Sequence, residues 1–529
     1  MTRWAMVADL GRCVGCQTCT AACKHANATA PSILWRKVLD VEVGEFPDVR
    51  RTFVPVGCMH CADPPCMHVC PSTATGQRAD GIVTIDYDLC IGCAYCAVAC
   101  PYQARWKIDR PRFAYGSVKM RNEAAREDPR RIGVAQKCTF CSERVDAGLV
   151  RGLTPGRDPE ATPACVNSCI ADALHFGDVE DPQSNVSQLL RQHRNFRMHE
   201  EVGTRPGFYY LWEKADGSGG GEREEPADPP VAAAVPLPGV ASWHQRHWDW
   251  RAAGNFMCGG AGTGFLVFAA VAALFGQPFF PLGLIPLGLV GFGLFLVWLE
   301  IGRPWRFINV LFNPHTSWMT REAMAGLPLF ASGAAALWFD AAALVAVSAG
   351  LGLVFLVCQA QMIRASKGIP AWRQPAAVPL LLATGLTEGG GLFLAVTPAF
   401  PDLASLLPWL PLTVLVLMAG RLAAWRAYLA ALTAHPAPQG SIRALRAIQL
   451  PFVLGGHVLA PALVLLGLLV EPANALFAAG GLLAFAAGWL FKFTLITRAG
   501  FNQGFAIEHT PARGAGAGGP GVKPGWTHP

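Results

Sequence analysis

Between residues 254 and 497 the sequence passes through eight apolar runs, at 254–275, 280–302, 322–340, 342–363, 376–398, 405–428, 448–470 and 474–497. Each is near the ~20 residues that an α-helix needs to cross a bilayer. The third and fourth form one apolar stretch, divided at Asp340. The connections alternate in charge. One set carries Arg303, Arg306, Arg321, Arg364, Lys367, Arg373, Arg426, Arg443, Arg446 and Arg498. The other set, at GQPF, FDAA, TPAFPD and EPAN, has no Lys or Arg. Basic loops stay on the cytoplasmic side of a membrane. An even helix count then predicts a multi-pass protein of the cytoplasmic membrane with both termini inside.

The remainder of the 529 residues has a different character. Residues 1–212 are rich in charge and hold 16 of the 18 cysteines. The chain therefore reads as a soluble module at 1–212, a flexible linker at 213–242, a membrane module at 243–508 and a flexible tail at 509–529. The linker and tail are Gly, Pro and Ala with little hydrophobic period. The formal charge of +6 sits largely beside the membrane helices, so no nucleic-acid partner is expected. The opening MTRWAMVADLGRC has no apolar stretch of a signal peptide. The cytosol keeps thiols reduced, so sixteen cysteines in a module expected there point to metal ligation, not to disulfides.

Their spacing says which metal. Cys13, Cys16, Cys19 and Cys23 lie in CVGCQTCTAAC; Cys58, Cys61, Cys66 and Cys70 in CMHCADPPCMHVC; Cys90, Cys93, Cys96 and Cys100 in CIGCAYCAVAC. The fourth group is split between KCTFC (Cys138, Cys141) and PACVNSC (Cys165, Cys169). Three thiolates at Cys-x2-Cys-x2-Cys wrap one face of a cubane, and the fourth cysteine points toward a second cluster. Such motifs work in pairs, so four groups predict four 4Fe–4S clusters. Structural zinc is the alternative, but it favours two separated Cys pairs per ion. Cys258 and Cys358, in the apolar runs, read as small apolar side chains.

Residues 4–182 resemble the four-cluster electron-transfer subunits of the dimethyl sulfoxide reductase and polysulfide reductase type of molybdenum enzymes. The resemblance rests on AMVADLGRCVGCQTC, CMHCADPPCMHVCP, DGIVTIDYDLCIGCAYCAVACPYQAR, KCTFCSERVDAG and the TPACV and HFGDVEDP segments. It implies an α+β ferredoxin-like fold ahead of the all-α eight-helix transmembrane domain. It also implies a ligation scheme. Cys13, Cys16 and Cys19 would share a cluster with Cys169, and Cys23 with Cys138, Cys141 and Cys165. Cys58, Cys61 and Cys66 would join Cys100, and Cys70 would join Cys90, Cys93 and Cys96. Ile170 stands where Pro is common in that family.

The second half resembles the membrane anchor subunits of the same enzymes, most specifically at LEIGRPWRFINVLFNPHTSWMTREAMAG, residues 299–326. In that family the segment helps to form a quinone site. Glu300 stands where His is common, and Glu322 where an acid is common. Glu300, Arg303, Arg306, His315, Arg321 and Glu322 are thus candidates for bonding a quinone and moving its protons, and Trp305 and Trp318 for walling its ring. Each also has a plainer reading: the arginines as positive-inside anchors, the tryptophans as an aromatic belt, and Glu322 as a partner of a helix dipole. Glu388 lies mid-span, where an ionisable group costs about 2.5–3.5 kcal/mol. It reads either as a proton relay or as a neutral hydrogen-bonded helix contact. His457 is the one histidine well inside a span, so paired haem ligation is not expected.

Together these features predict a subunit that passes electrons between a separate catalytic chain, bearing a molybdenum bis-pterin cofactor, and membrane quinone. Sulfite oxidation to sulfate is the expected chemistry of the complex. Quinol-dependent reduction of dimethyl sulfoxide, polysulfide or another S- or N-oxide is the alternative. A rival of another class is an ion-translocating or scaffold anchor.

Overall fold

The computed structural model describes residues 2–43, 49–126, 128–214, 240–400, 403, 408–435, 437–471, 473–511 and 519–522. The expected linker falls mostly on 215–239, outside the described residues. The chain divides into two compact units: Met1–Trp243 with Asn502–His528, and His244–Phe501.

The first unit is α+β, as expected. Strand β1 (Trp4–Asp9) is apolar and buried from Trp4 to Ala8 and ends in the half-buried Asp9. Two long antiparallel strands follow, β2 (Arg36–Val43) and β3 (Arg50–Gly57), paired from Arg36↔Gly57 to Val43↔Arg50. Further along come β4 (Leu174–Asp178), β5 (His193–Phe196) and β6 (Phe208–Lys214). The main sheet runs β4-β1-β6-β5, with β1 parallel to β6 and antiparallel to β4. Two short ladders join Thr75–Gln77 to Val83–Ile85 and Trp106–Lys107 to Ala135–Gln136. Helices here are short because cysteines occupy much of the core. Cys13, Cys19, Cys23, Cys58, Cys61, Cys100, Cys138 and Cys165 are buried with Met6, Ile33, Val54 and Phe176.

The expected boundary at 508 moves to 501, and the described part of the expected flexible tail contributes to a strand pair. The described residues from Asn502 onward belong to the first unit. Strand β7 (Ile507–Thr510) pairs with β8 (Gly519–Val522). Phe505, Ile507 and Val522 enter the same core as the cysteines, together with Val240. The Phe505 N–H donates to the Val240 carbonyl at 2.9 Å, and His509 stacks on Trp212 with ring centroids 4.4 Å apart. A few apolar side chains in FNQGFAIEHT outweigh the Gly-rich composition that follows them. The remaining tail residues, 512–518 and 523–529, lie outside the described residues.

The second unit is a helical bundle: α1 (Trp250–Leu274), α2 (Leu284–Glu300), α3 (Trp318–Phe339), α4 (Ala342–Ala365), α5 (Ala377–Val396), α6 (Leu410–Ala434), α7 (Gln439–Gly467) and α8 (Asn474–Thr497). Among the described residues seven helices are long and apolar enough to cross a membrane. The count reaches eight if one bent pair is taken as a span: α2 stops at Glu300 and Pro304–Leu311 continues as a 3-10 helix at 115° to it. Asp340 separates α3 from α4 in the left-handed conformation (φ 48°), and its carboxylate accepts the Phe279 N–H at 2.7 Å. Helix α7 carries a π-turn at Gly455–Leu459, which contains His457.

Helices α1, α5 and α8 approach through glycine. A Cβ on Gly389 would lie 2.1 Å from the Gly264 carbonyl carbon, and one on Gly481 2.2 Å from the Gly391 oxygen. Lipid supplies no hydrophobic drive between helices, so such small-residue contacts hold the bundle by close packing. Gly389→Ala should therefore destabilise the bundle, by about 1–3 kcal/mol. A lower thermal midpoint of the helical signal in detergent would report this. Gly288→Ala, where a Cβ meets nothing within 4 Å, should leave that midpoint unchanged.

Candidate functional site

The four cysteine groups share a backbone device. In each Cys-x2-Cys loop the second intervening residue has a positive φ: Gly15 (71°), His60 (41°), Gly92 (75°) and Phe140 (53°). This left-handed turn curls the loop so that successive cysteines face one centre. Glycine does so without steric penalty at two of the positions. The other two, His60 and Phe140, stack on each other at 3.7 Å between centroids, which stabilises both turns at once. The next cysteines are carried by helices: Cys19 and Cys23 on Thr18–Asn27, Cys66 on Pro65–His68, Cys96 on Tyr95–Ala99 and Cys165 on Ala164–Asn167.

The fold gathers these sixteen residues into four sets. Cys13, Cys16, Cys19 and Cys169 line one small cavity with Val38 and Leu174. Cys23 faces Cys138, Cys165 and Cys141. Cys61 faces Cys58, Cys66 and Cys100, and Cys93 faces Cys96, Cys70 and Cys90. Each set thus contains a cysteine remote in sequence from its other members. All sixteen are free thiols. Among the described residues no three His, Cys, Asp or Glu side chains converge closely enough for a single metal ion. A cubane binds each thiolate through a different iron, so these wider cages fit it. Polar hydrogens also point at sulfur: Ala173 N–H to Cys169 (3.2 Å), Phe140 N–H to Cys138 (3.4 Å) and Thr75 N–H to Cys70 (3.5 Å).

Burial makes the most enclosed of these thiols hard to ionise by themselves. It pushes Cys96 and Cys100 up to about 12, and Cys138 and Cys165 up to about 11. Cations oppose the rise, Arg105 at Cys96 and Arg36 at Cys165. Iron would hold all four sulfurs of a cage as thiolates.

In the bundle, the 299–326 segment wraps the bend after α2. Glu300, at the last position of α2, is buried, and Arg303 and Arg306 follow it, each half-buried. Trp305 is 85% exposed, with its ring edge-on to Trp298. His315 is exposed. Arg321 is committed to the loop: Nε donates to the Pro314 carbonyl at 2.9 Å, a terminal nitrogen donates to the His315 carbonyl at 2.6 Å, and the guanidinium lies 4.3 Å from the Trp318 ring centroid.

Glu322 lies one turn deeper than expected, because α3 begins at Trp318 rather than at Glu322 itself. Dipole effects fade beyond the first turn, so the dipole reading weakens. Instead Glu322 is buried, and its Oε1 accepts from Asn255 Nδ2 (3.3 Å) and Gln359 Nε2 (3.0 Å). Asn255 and Gln359 fall outside the expected residues; a polar amide inside each apolar run is the signal that could have found them.

Glu388 is fully buried on α5, with Oε2 2.6 Å from Lys492 Nζ on α8. Glu388, read from the sequence as either a proton relay or a neutral helix contact, thus sits in an ion-pair geometry, with a lysine absent from the expected residues. Arg421 on α6 lies in the same region; its Nη1 donates to the Ala484 carbonyl at 2.8 Å and its Nε to His457 Nε2 at 3.1 Å. The other ring nitrogen of His457 bonds the Phe452 carbonyl at 2.9 Å. The Glu322 and Glu388 networks meet on α1. A Cβ on Gly259 would touch Gln359, and one on Gly260 would touch Lys492.

Known proteins give these cages context. The 4Fe-4S dicluster domain family matches residues 49–113. A selenate reductase subunit of Mesobacillus selenatarsenatis is 41% identical over 225 residues, covering 40% of this chain and 72% of the relative. The arsenate respiratory reductase iron–sulfur subunit of a Shewanella species is 36% identical, covering 40% and 96%. A sulfite dehydrogenase subunit of Allochromatium vinosum is 36% identical, covering 40% and 83%.

The sets predict which cluster each cysteine serves. Cys169→Ser should perturb the cluster of Cys13, Cys16 and Cys19, although 146 positions separate Cys169 from Cys23 at the end of that motif. Paramagnetic resonance of the reduced protein would show one altered signal. A loss confined to the Cys138 set would contradict the pairing.

Proposed function

This chain belongs to the family of iron–sulfur subunits of dimethyl sulfoxide, selenate, arsenate and sulfite oxidoreductases, with a multi-pass helical unit on the same polypeptide, and we propose that it links a molybdenum catalytic partner to membrane quinone. The observation that carries this reading is the pairing of four thiol cages with a bundle that buries Glu322 among amide donors. Four 4Fe–4S clusters in the cages would supply one-electron storage and transfer. The catalytic chain would bear a molybdenum bis-pterin cofactor and perform the substrate chemistry.

Quinone conversion moves two electrons and two protons, so the second unit must hold a polar headgroup and exchange protons with it. In this reading Glu300 and Glu322 bond the quinone oxygens and hold or release protons. Asn255 and Gln359 fix the Glu322 carboxylate. Arg303, Arg306, His315 and Trp318 form the rest of the segment, with Arg321 holding its loop and Trp305 facing outward. Glu388, paired with Lys492, serves as a further proton-handling group.

The direction we favour is sulfite oxidation, with electrons delivered to the quinone pool. The alternation of basic loops supports a cluster unit on the cytoplasmic face of the inner membrane. Likeness to the sulfite dehydrogenase subunit agrees with it. The second reading is a quinol-dependent reductase, favoured by the likeness to selenate and arsenate reductase subunits.

The purified complex with its partner chain should contain molybdenum and reduce a quinone analogue when sulfite is added. Quinol-driven reduction of selenate or an S-oxide, without sulfite activity, would establish the second reading. Charge movement across a sealed vesicle, unaffected by Glu300→Gln, would favour an ion-translocating anchor. Under the proposed reading Glu300→Gln and Glu322→Gln should each slow quinone turnover on the order of 100-fold. The cluster signals should stay unchanged in both variants.

A further inference from the structure

Three cations in the first unit are almost completely enclosed: Arg36, Lys137 and Arg105 are 1%, 1% and 4% exposed. An enclosed charge without a counter-ion costs several kcal/mol. Yet none of the three reaches a carboxylate among the described residues. Arg36 donates to Met6 Sδ at 2.9 Å, and its Nε and Nη1 have no hydrogen-bond partner. Lys137 donates to the Cys138 carbonyl at 2.7 Å and also to the Val83 carbonyl. Arg105 donates to Cys66 Sγ and Thr75 Oγ1, each at 2.9 Å.

What surrounds them is sulfur, and it is distributed in order. Arg36 lies beside Cys19 of the first cage and beside Cys23, Cys138 and Cys165 of the second. Lys137 lies beside Cys138 of the second and Cys58 and Cys66 of the third. Arg105 lies beside Cys58, Cys66 and Cys100 of the third and Cys96 of the fourth. Each cation therefore occupies one junction in a line of four cages.

We propose that Arg36, Lys137 and Arg105 are the fixed counter-charges of the cluster chain, one per junction, which hold the reduction potentials of the clusters on either side. This rests on the four-cluster reading above. A cubane with four thiolate ligands is an anion in both oxidation states, and reduction adds one more negative charge. A neighbouring cation favours the reduced form and raises the potential. Burial keeps water from screening that interaction. The line also makes adjacent clusters share a cation, so reduction of one is felt by the next through a common charge.

The test uses the full chain in detergent, with iron analysis and a redox titration followed by paramagnetic resonance. Wild-type protein with fewer than four clusters would sink the underlying reading, whatever the variants do. Given four, Arg36→Met should lower two potentials and Arg105→Met the other two. The pair that moves in one variant must be the pair that stays in the other. Lys137→Met should lower one potential from each pair. Arg36→Lys, Lys137→Arg and Arg105→Lys should stay close to wild type. Neutral variants that keep their iron and their potentials overturn the proposal, as does a shift in the wrong pair. Where a neutral variant loses a cluster, the charge-preserving variant decides. Retention there supports a charge role, and loss there shows that shape alone matters.

Discussion

Sixteen thiols enclosed in one small unit repel one another as soon as they ionise, and the first unit is organised around that repulsion. The left-handed turns at Gly15, His60, Gly92 and Phe140 aim sulfurs inward. Iron must then neutralise most of the charge, and what is left falls to the protein. Regular structure becomes subordinate. The helices carrying Cys66, Cys96 and Cys165 are only a turn or so long. The long elements, β1 and the β2–β3 pair, form a frame at whose edge Arg36 enters the core.

The second unit solves a related problem by different means. In hydrocarbon an ionisable side chain needs a partner at once, because no water relieves it. Glu388 finds Lys492, Glu322 finds two amides, and Arg421 finds carbonyls and an imidazole. Gly259 and Gly260 of α1, with Gly488 of α8, leave room for these side chains. The glycines that bring helices together elsewhere here admit polar groups, so one residue type serves packing and polarity alike.

Much of this is legible in the sequence, for physical reasons. Cysteine spacing reports cage geometry directly, since three thiolates on one cubane leave few backbone paths between them. Apolar run length reports bundle helices, and Asp340 marks a true break. What escapes depends on contacts between distant residues. Lys492 sits in FKF near the end of an apolar run, and only the packing of α5 beside α8 shows its partner. Asn255 and Gln359 carry no spacing signal. Helix α3 starts four residues before its expected apolar run, at Trp318–Arg321, where Arg321 followed by Glu322 interrupts the apolar pattern but not the helix. In the C-terminal tail beyond the last span, closeness to the bundle in sequence hides the anchoring role of Phe505 and Ile507 in the first unit.

That tail has a consequence for biogenesis. The first unit is closed by residues that follow the last helix of the second in the chain, so they are translated after the whole bundle. Phe505, Ile507 and Val522 cannot take their places during early translation. The nascent cofactor-binding unit must wait, partly open, while the insertion machinery delivers the whole bundle to lipid. Completion of one unit thereby certifies that the other has been synthesised to its end.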